Sequence, residues 1–237
     1  MAVPPLPPDA ALLLDLDGTL IDIAATPDAV VVPPDLLPVL RRLRPRVADA
    51  LAVVTGRPIA EVDALLGDAP YAVAGEHGGA IRHAPAAPVE RAVLADLPAG
   101  WLERAERIAA GRPGVLLERK RRGFALHYRL APHEGPALRR AMLEILSGHD
   151  DRFAVLAGQM TWEMRPLGAD KATAVAGLMQ RPPFAGRVPV YIGDDVTDED
   201  GMRAARAIGG VGWRVAEVFG DAAGVRAWLA QQARADR

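Results

Sequence analysis

The sequence contains no cysteine. Disulfides and thiolate metal sites are therefore excluded, and the composition suits a reducing cytoplasm, the expected location. Aromatic residues make up only 5% of the chain, and the lysines and arginines have few aromatics interleaved with them. Nor is there an excess of either charge: 28 basic residues meet 30 acidic ones, for a net charge of −2. Neither nucleic acid nor a membrane surface is expected as a partner. No apolar run approaches the roughly 18 residues that span a bilayer. The opening "MAVPPLPPDAALLLDLDG" lacks a basic start and meets Asp15 early, so a signal peptide is not expected either. Internal repeats are missing, and the Pro-rich first eight residues are the one biased stretch.

What is present is an ordinary globular composition. In 237 residues, 50% of them apolar, there is room for one large domain or a core carrying a smaller one. Short apolar runs bounded by Gly, Asp or Thr recur in "ALLLDLDG", "ALAVVTGR", "YAVAGEHG" and "VPVYIGDD". Runs this continuous fit strands buried on both faces of a parallel sheet. Helical patterns lie between them. "PPDLLPVLRRLRP" places Leu36, Leu37, Leu40 and Leu43 on one stripe, and "RPIAEVDALLG" has Pro in its first turn and stops at Gly67. The alternation predicts a doubly wound α/β core. The middle of the chain reads instead as helix–strand–strand, twice over, from "WLERAERIAAG" to "TWEMRP". An inserted α+β domain at 86–164 is expected, within a core formed by 1–85 and 165–237.

Acidic residues gather where strands should end. In "GDDVTDED" five carboxylates, Asp194, Asp195, Asp198, Glu199 and Asp200, follow an apolar run directly. In "LLLDLDGTL", Asp15 and Asp17 stand two apart and should reach the same side of the crevice outside an open parallel sheet. Such a pair suits split roles: one carboxylate attacks a phosphoryl group, and the other gives and takes the proton. The competing reading is a plain Asp-Gly turn. "AVVTGRP" puts the Thr55 hydroxyl just before a helix, as an anion site or as a simple cap. Lys171, near a helix start, could neutralise a carboxylate and a phosphate oxygen together, or be a solvated surface group. Carboxylates cannot hold a phosphate dianion without countercharge, and a hard cation such as Mg2+ supplies it. The ligand spacing of a calcium EF-hand is missing.

The ordered set DxD, Thr, Lys and GDD-x2-D resembles the haloacid dehalogenase superfamily of phosphotransferases. "VVTGRPIAEVDALL", "AGEHGGAIR", "GFALHYR", "WEMRPLGADKATAV" and "YIGDDVTDEDGM" narrow this, because together they look like the trehalose-6-phosphate phosphatases. The resemblance implies a haloacid-dehalogenase-like α/β core with a C2-type cap, and hydrolysis of trehalose 6-phosphate through an aspartyl-phosphate. By position, Asp15 would be the nucleophile and Asp17 the general acid/base, with Thr55 and Lys171 holding phosphate. Gly56 and Arg57 would lie at the substrate, and His77 would touch it or serve its turn. Mg2+ would be held by Asp15, Asp194 and the Asp17 carbonyl, with Asp195 and Asp198 orienting waters, Lys171 or the metal shell. In the cap, Glu118, Lys120, Glu163 and Arg165 match the sugar-reading positions.

Two features depart from the family pattern: Thr55 replaces its usual Ser, and "ERKRRG" carries extra arginine. That basic turn is a solvated hairpin or draws in an anionic sugar phosphate. A monomer functionally linked to a trehalose-6-phosphate synthase is expected. The alternatives are a capped phosphatase for sucrose phosphate or another phosphosugar, and a non-catalytic sugar-phosphate-binding protein.

Overall fold

A computed structural model describes residues 3–24, 26 and 29–234. Met1 and Ala2 of the Pro-rich opening lie outside the described residues. The chain forms two compact units, one of Met1–Ala92 with Ala169–Arg237 and one of Val93–Gly168.

In the first unit the sheet is built from β1 (Ala10–Leu14), β2 (Leu51–Val54), β3 (Ala72–Gly75), β4 (Ala80–Arg82), β5 (Glu90–Arg91), β10 (Val188–Gly193) and β11 (Val211–Arg214). Their order is β11-β10-β1-β2-β3-β4-β5. Pairing is parallel from β11 to β3 and antiparallel for β4 and β5. Alternation along the strands explains their unbroken apolar runs. Leu12 and Leu14 of β1 share a core with Leu36, Leu40 and Leu43 of α1 (Leu36–Arg46). The same core takes Ile59, Val62 and Leu66 of α2 (Ile59–Leu66) and Val225 and Leu229 of α7 (Ala222–Arg234). Ala11 and Leu13 face the other way, onto Ala174, Val175 and Leu178 of α5 (Lys171–Met179) and Met202 and Ala205 of α6 (Asp198–Ala207). With helices on both faces, neither side of β1, β2 or β3 meets water. Leu37, expected on the buried stripe of α1, is only half-buried and Val39 takes the inward position. Pro58 stands just before α2, and Gly67, with φ +57°, ends it.

β1 lies between β10 and β2, and the chain leaves it toward β2 and β3 on one side and returns through β10 and β11 on the other. This reversal opens a crevice at the carboxyl ends of β1 and β10, the usual ligand site in open α/β sheets.

The second unit pairs β6 (Leu116–Lys120), β7 (Gly123–His127), β8 (Phe153–Gly158) and β9 (Thr161–Pro166) in the order β6-β7-β9-β8. One sheet face packs Phe124, Leu126, Phe153 and Met164 against Trp101 and Ala105 of α3 (Trp101–Ala110) and Leu138, Met142 and Ile145 of α4 (Gly135–Leu146). The units divide at 92/93 and 168/169. Both edges lie a few residues further along the chain than the expected 86 and 164, for a physical reason. The exposed pair Glu90–Arg91 returns to the first sheet as β5, and β9 holds its pairing with β8 as far as Pro166.

Candidate active site

Asp15 follows β1 directly, and its backbone N–H donates to the Ile192 carbonyl of the neighbouring strand at 2.9 Å. Odd positions of β1 face α5 and α6, and the first residues of those helices are Lys171 and Asp198. The three side chains meet there. Lys171 Nζ donates to Asp15 Oδ1 at 2.7 Å and to Asp198 Oδ1 at 2.6 Å. All three are buried, so Lys171 is not the solvated surface cation that a lysine at a helix start often is. Asp170 caps α5 by accepting from Thr173 N at 2.7 Å, which fixes where the helix begins.

Burial raises Asp15 well above the usual carboxylate range; Asp198 and Asp194 add to this and Lys171 opposes it. Burial would lower Lys171, but Asp15 and Asp198 outweigh it and push the ammonium above its ordinary value. Asp194 is raised to about 7 by burial and by its neighbours Asp198 and Asp195. Asp195 is raised too, mainly by burial, and its Oδ1 accepts from Val196 N.

Carboxylate oxygens of Asp15, Asp194 and Asp198 all lie within 4.8 Å of one another. The donor set is entirely oxygen, carries an excess of negative charge, and belongs to a buried crevice, which fits a hard divalent cation. Gly18 makes the approach of Asp194 feasible: its φ is +82°, and a Cβ there would lie 2.2 Å from Asp194 Oδ2. Both carboxylate oxygens of Asp198 accept hydrogen bonds from the protein. Its Oδ1 accepts from Lys171 and Tyr191, and its Oδ2 from Asp195 N at 3.0 Å.

Asp17 is placed differently from Asp15. The two carboxylates do not share one setting, because Arg57 forks onto Asp17 through Nε–Oδ2 at 2.7 Å and Nη2–Oδ1 at 2.8 Å. Arg57 also reaches Glu61, so in this state the guanidinium serves carboxylates. Thr55 is buried at the end of β2, but α2 starts only at Ile59, so its hydroxyl is not at a helix N-terminus. Instead Thr55 Oγ1 accepts from Arg57 N at 3.2 Å. Gly56 is needed for packing, since a Cβ there would meet His77 Nε2 at 2.5 Å. His77 is buried in a tight turn where it and Glu76 both have positive φ, 55° and 53°. Strain of this kind concentrates at functional sites.

In the second unit, Glu118, Ala125 and Glu163 sit side by side across β6, β7 and β9 on the sheet face away from the helices. Lys120 Nζ lies 3.0 Å from Glu163 and 3.9 Å from Glu118. Arg165 extends the same face two residues beyond Glu163. Three of the four residues of the basic turn are engaged within this unit. Arg119 pairs with Glu106, Lys120 with Glu163, and Arg122 with Asp96 and the Leu94 carbonyl.

Several side chains at these clusters were not singled out from the sequence. Burial would raise Glu118, but His127, which meets it at 2.7 Å, and Lys120 together outweigh burial and hold Glu118 below its usual range. Arg214 Nη1 donates to the Asp194 carbonyl at 3.1 Å, and the Thr19 hydroxyl donates to Asp15 Oδ2 at 3.3 Å. Tyr191 donates to Asp198 at 2.7 Å. Strand alternation was the available signal for Tyr191 and His127, because Tyr191 shares the odd-numbered face of β10 and His127 lies two residues beyond Ala125.

Comparison with known proteins gives this geometry its relatives. Residues 13–225 match the trehalose-phosphatase family. A protein of Sinorhizobium fredii, named a probable trehalose-phosphate phosphatase, is 42% identical over 207 residues, covering 86% of this chain and 77% of its own. The trehalose-6-phosphate phosphatase of Escherichia coli is 36% identical over 221 residues, covering 90% and 79%. The solved C-terminal domain of Candida albicans trehalose-6-phosphate phosphatase shares the fold, with a TM-score of 0.79 at 21% identity over 95% of this chain and 93% of that one. The matched span takes in the strand-end acids, the buried lysine and the polar sheet face alike, and by that match the chain belongs to the trehalose-phosphatase family.

Proposed function

We propose that the protein hydrolyses trehalose 6-phosphate to trehalose and phosphate, with Asp15 as nucleophile, Mg2+ as cofactor and the Val93–Gly168 unit as cap. The observation that carries this reading is the setting of Asp15: buried at the topological switch point, tied to the Lys171 ammonium, and beside Asp194. An Asp15 oxygen attacks phosphorus, forming one P–O bond as the bond to the sugar oxygen breaks. Asp17 gives a proton to that leaving oxygen, then takes one from the water that attacks the aspartyl-phosphate and frees Asp15. Arg57 occupies both Asp17 oxygens, so proton delivery requires that fork to open. An arriving phosphate dianion competes for the same guanidinium. Lys171 spends two N–H bonds on Asp15 and Asp198, and its third is the donor for a phosphate oxygen.

Asp15, Asp194 and the Asp17 carbonyl would hold Mg2+, with Asp195 and Asp198 in support. When bound, the ion supplies the positive charge that lets carboxylate and phosphate share one crevice. Glu118, Lys120, Glu163 and Arg165 form the polar face that reads sugar hydroxyls, and the alternating charges of the first three hold one another in place.

The direct test is phosphate release from a panel of esters. With Mg2+, trehalose 6-phosphate should exceed sucrose 6-phosphate and p-nitrophenyl phosphate by about tenfold or more in kcat/KM, the discrimination a few sugar contacts can give. Chelation should lower the rate by at least about tenfold. A preference for sucrose 6-phosphate would overturn the substrate assignment.

A second expectation concerns stability. Asp194 is raised from 3.8 to about 7, so without a cation the folded state loses stability as pH climbs through that window. Saturating Mg2+ at pH 8 should therefore raise Tm by roughly 5–10 °C, and by much less at pH 5. Asp194→Asn should abolish the shift. An equal shift at both pH values, or one that survives in Asp194→Asn, places the ion elsewhere.

A further inference from the structure

We infer that Tyr191 is a positioning residue for the proposed reaction, acting through Asp198 on the Lys171 ammonium. The inference rests on the phosphatase reading above and adds to it a residue in the middle of an apolar strand. Tyr191 is fully buried on the face of β10 that packs against α5 and α6, among Leu13, Val175, Met202 and Ala205. A phenol in such surroundings must find a partner for its hydroxyl. It donates to Asp198 Oδ1 at 2.7 Å, the same oxygen that accepts from Lys171 at 2.6 Å. The other oxygen of Asp198 accepts from Asp195 N at 3.0 Å. Donors from three segments thus fix one carboxylate that has no exposure to solvent.

Two glycines clear the space for this arrangement. A Cβ on Gly193 would lie 2.2 Å from Asp198 Cγ, and one on Gly201 would lie 2.5 Å from the Tyr191 ring. Both are closer than side-chain atoms tolerate. Burial, with Asp198 second, raises the Tyr191 phenol well above its ordinary value, so it stays a donor in any working buffer. Without the phenol, Asp198 keeps its bonds to Lys171 and Asp195 but loses the contact that stops it rotating about them. The ammonium then sits between one fixed carboxylate, Asp15, and one mobile one, Asp198, and its third N–H is no longer aimed. Asp198 hydrogen-bonds Lys171, and the Tyr191 hydroxyl reaches the lysine through Asp198, so the effect falls on the aim of the lysine at the charge that develops in the transition state more than on ground-state affinity.

Tyr191→Phe removes the hydroxyl and keeps the ring, so packing is preserved. In the full chain with Mg2+ and trehalose 6-phosphate, kcat should fall by about tenfold, as expected for one hydrogen bond to a charged group. KM should stay within about twofold, because an interaction used only in the transition state lowers kcat alone. The same change made in an Asp198→Asn background should alter kcat by less than about twofold, since residues acting through one another are not additive. A kcat for Tyr191→Phe within about twofold of the parent overturns the inference, and so does an equal loss in both backgrounds. A parent chain that releases no phosphate from any ester sinks the phosphatase reading and this role with it. A working parent with an unaffected Tyr191→Phe variant sinks this role alone.

Discussion

Asp15→Asn should lower phosphate release from trehalose 6-phosphate by roughly 10⁴-fold or more, the scale seen when a nucleophile is removed from a covalent mechanism. The amide matches the carboxylate in shape but cannot form the acyl phosphate. The loss should not come from unfolding. Burial and Asp198 already disfavour the charged form of Asp15, so a neutral side chain relieves part of that cost. What remains is Lys171 paired with Asp198 at 2.6 Å, a neutral buried pair. Thermal melting should therefore stay at or above that of the parent, and calorimetry should still detect substrate binding. Rapid quenching with labelled substrate should trap a hydroxylamine-sensitive phosphoenzyme in the parent and none in the variant. Turnover within about tenfold of the parent would remove Asp15 from the nucleophile's role.

The position of Asp15 could be read from letters alone because the physics that places it is periodic. A run buried on both faces must be a central strand, a central strand in this sheet type ends at the crevice, and the residue after its last apolar position is Asp15. The same rule located Asp194, just past the end of the neighbouring strand, although the two are far apart in sequence. The expected place of Thr55 at a helix start differs from the structure because it is counted along the chain: three residues separate Thr55 from α2, and its hydroxyl accepts from the Arg57 N–H. β5 escaped notice because Glu90 and Arg91 are exposed on an edge and carry no apolar signal. The Asp17–Arg57 fork could not be read at all. Its partners are forty positions apart, and nothing in either motif says that a guanidinium after β2 reaches the loop after β1. Long-range polar pairs of this kind have no period, so only the folded chain reveals them.

Lys171→Met should be the most damaging single change to the fold among the site residues, and it should cost activity as well. It leaves Asp15 and Asp198 buried, each carrying an oxygen that had been within 2.7 Å of the same ammonium. Breaking a buried pair from one side typically costs about 3–5 kcal/mol, because the stranded charge has neither water nor a partner. Here two charges are stranded. For a chain of this size that cost corresponds to a fall in Tm of roughly 6–20 °C at pH 8. The sign with pH follows from Asp15, whose raised value rises further once Lys171 is gone. Protonation relieves the repulsion, so the deficit should shrink as pH falls toward 5. Turnover should drop by at least about 10²-fold at every pH, since the donor to the phosphate is lost along with the countercharge. Arginine is no substitute, because a planar fork cannot occupy a point site enclosed by two carboxylates. Adding Asp198→Asn to Lys171→Met removes one stranded charge and should recover part of the lost Tm without recovering turnover. That separation tests the two roles independently: recovery of both would make Lys171 a purely structural cation, and recovery of neither would mean that Asp15 and Asp198 do not repel each other as their geometry requires.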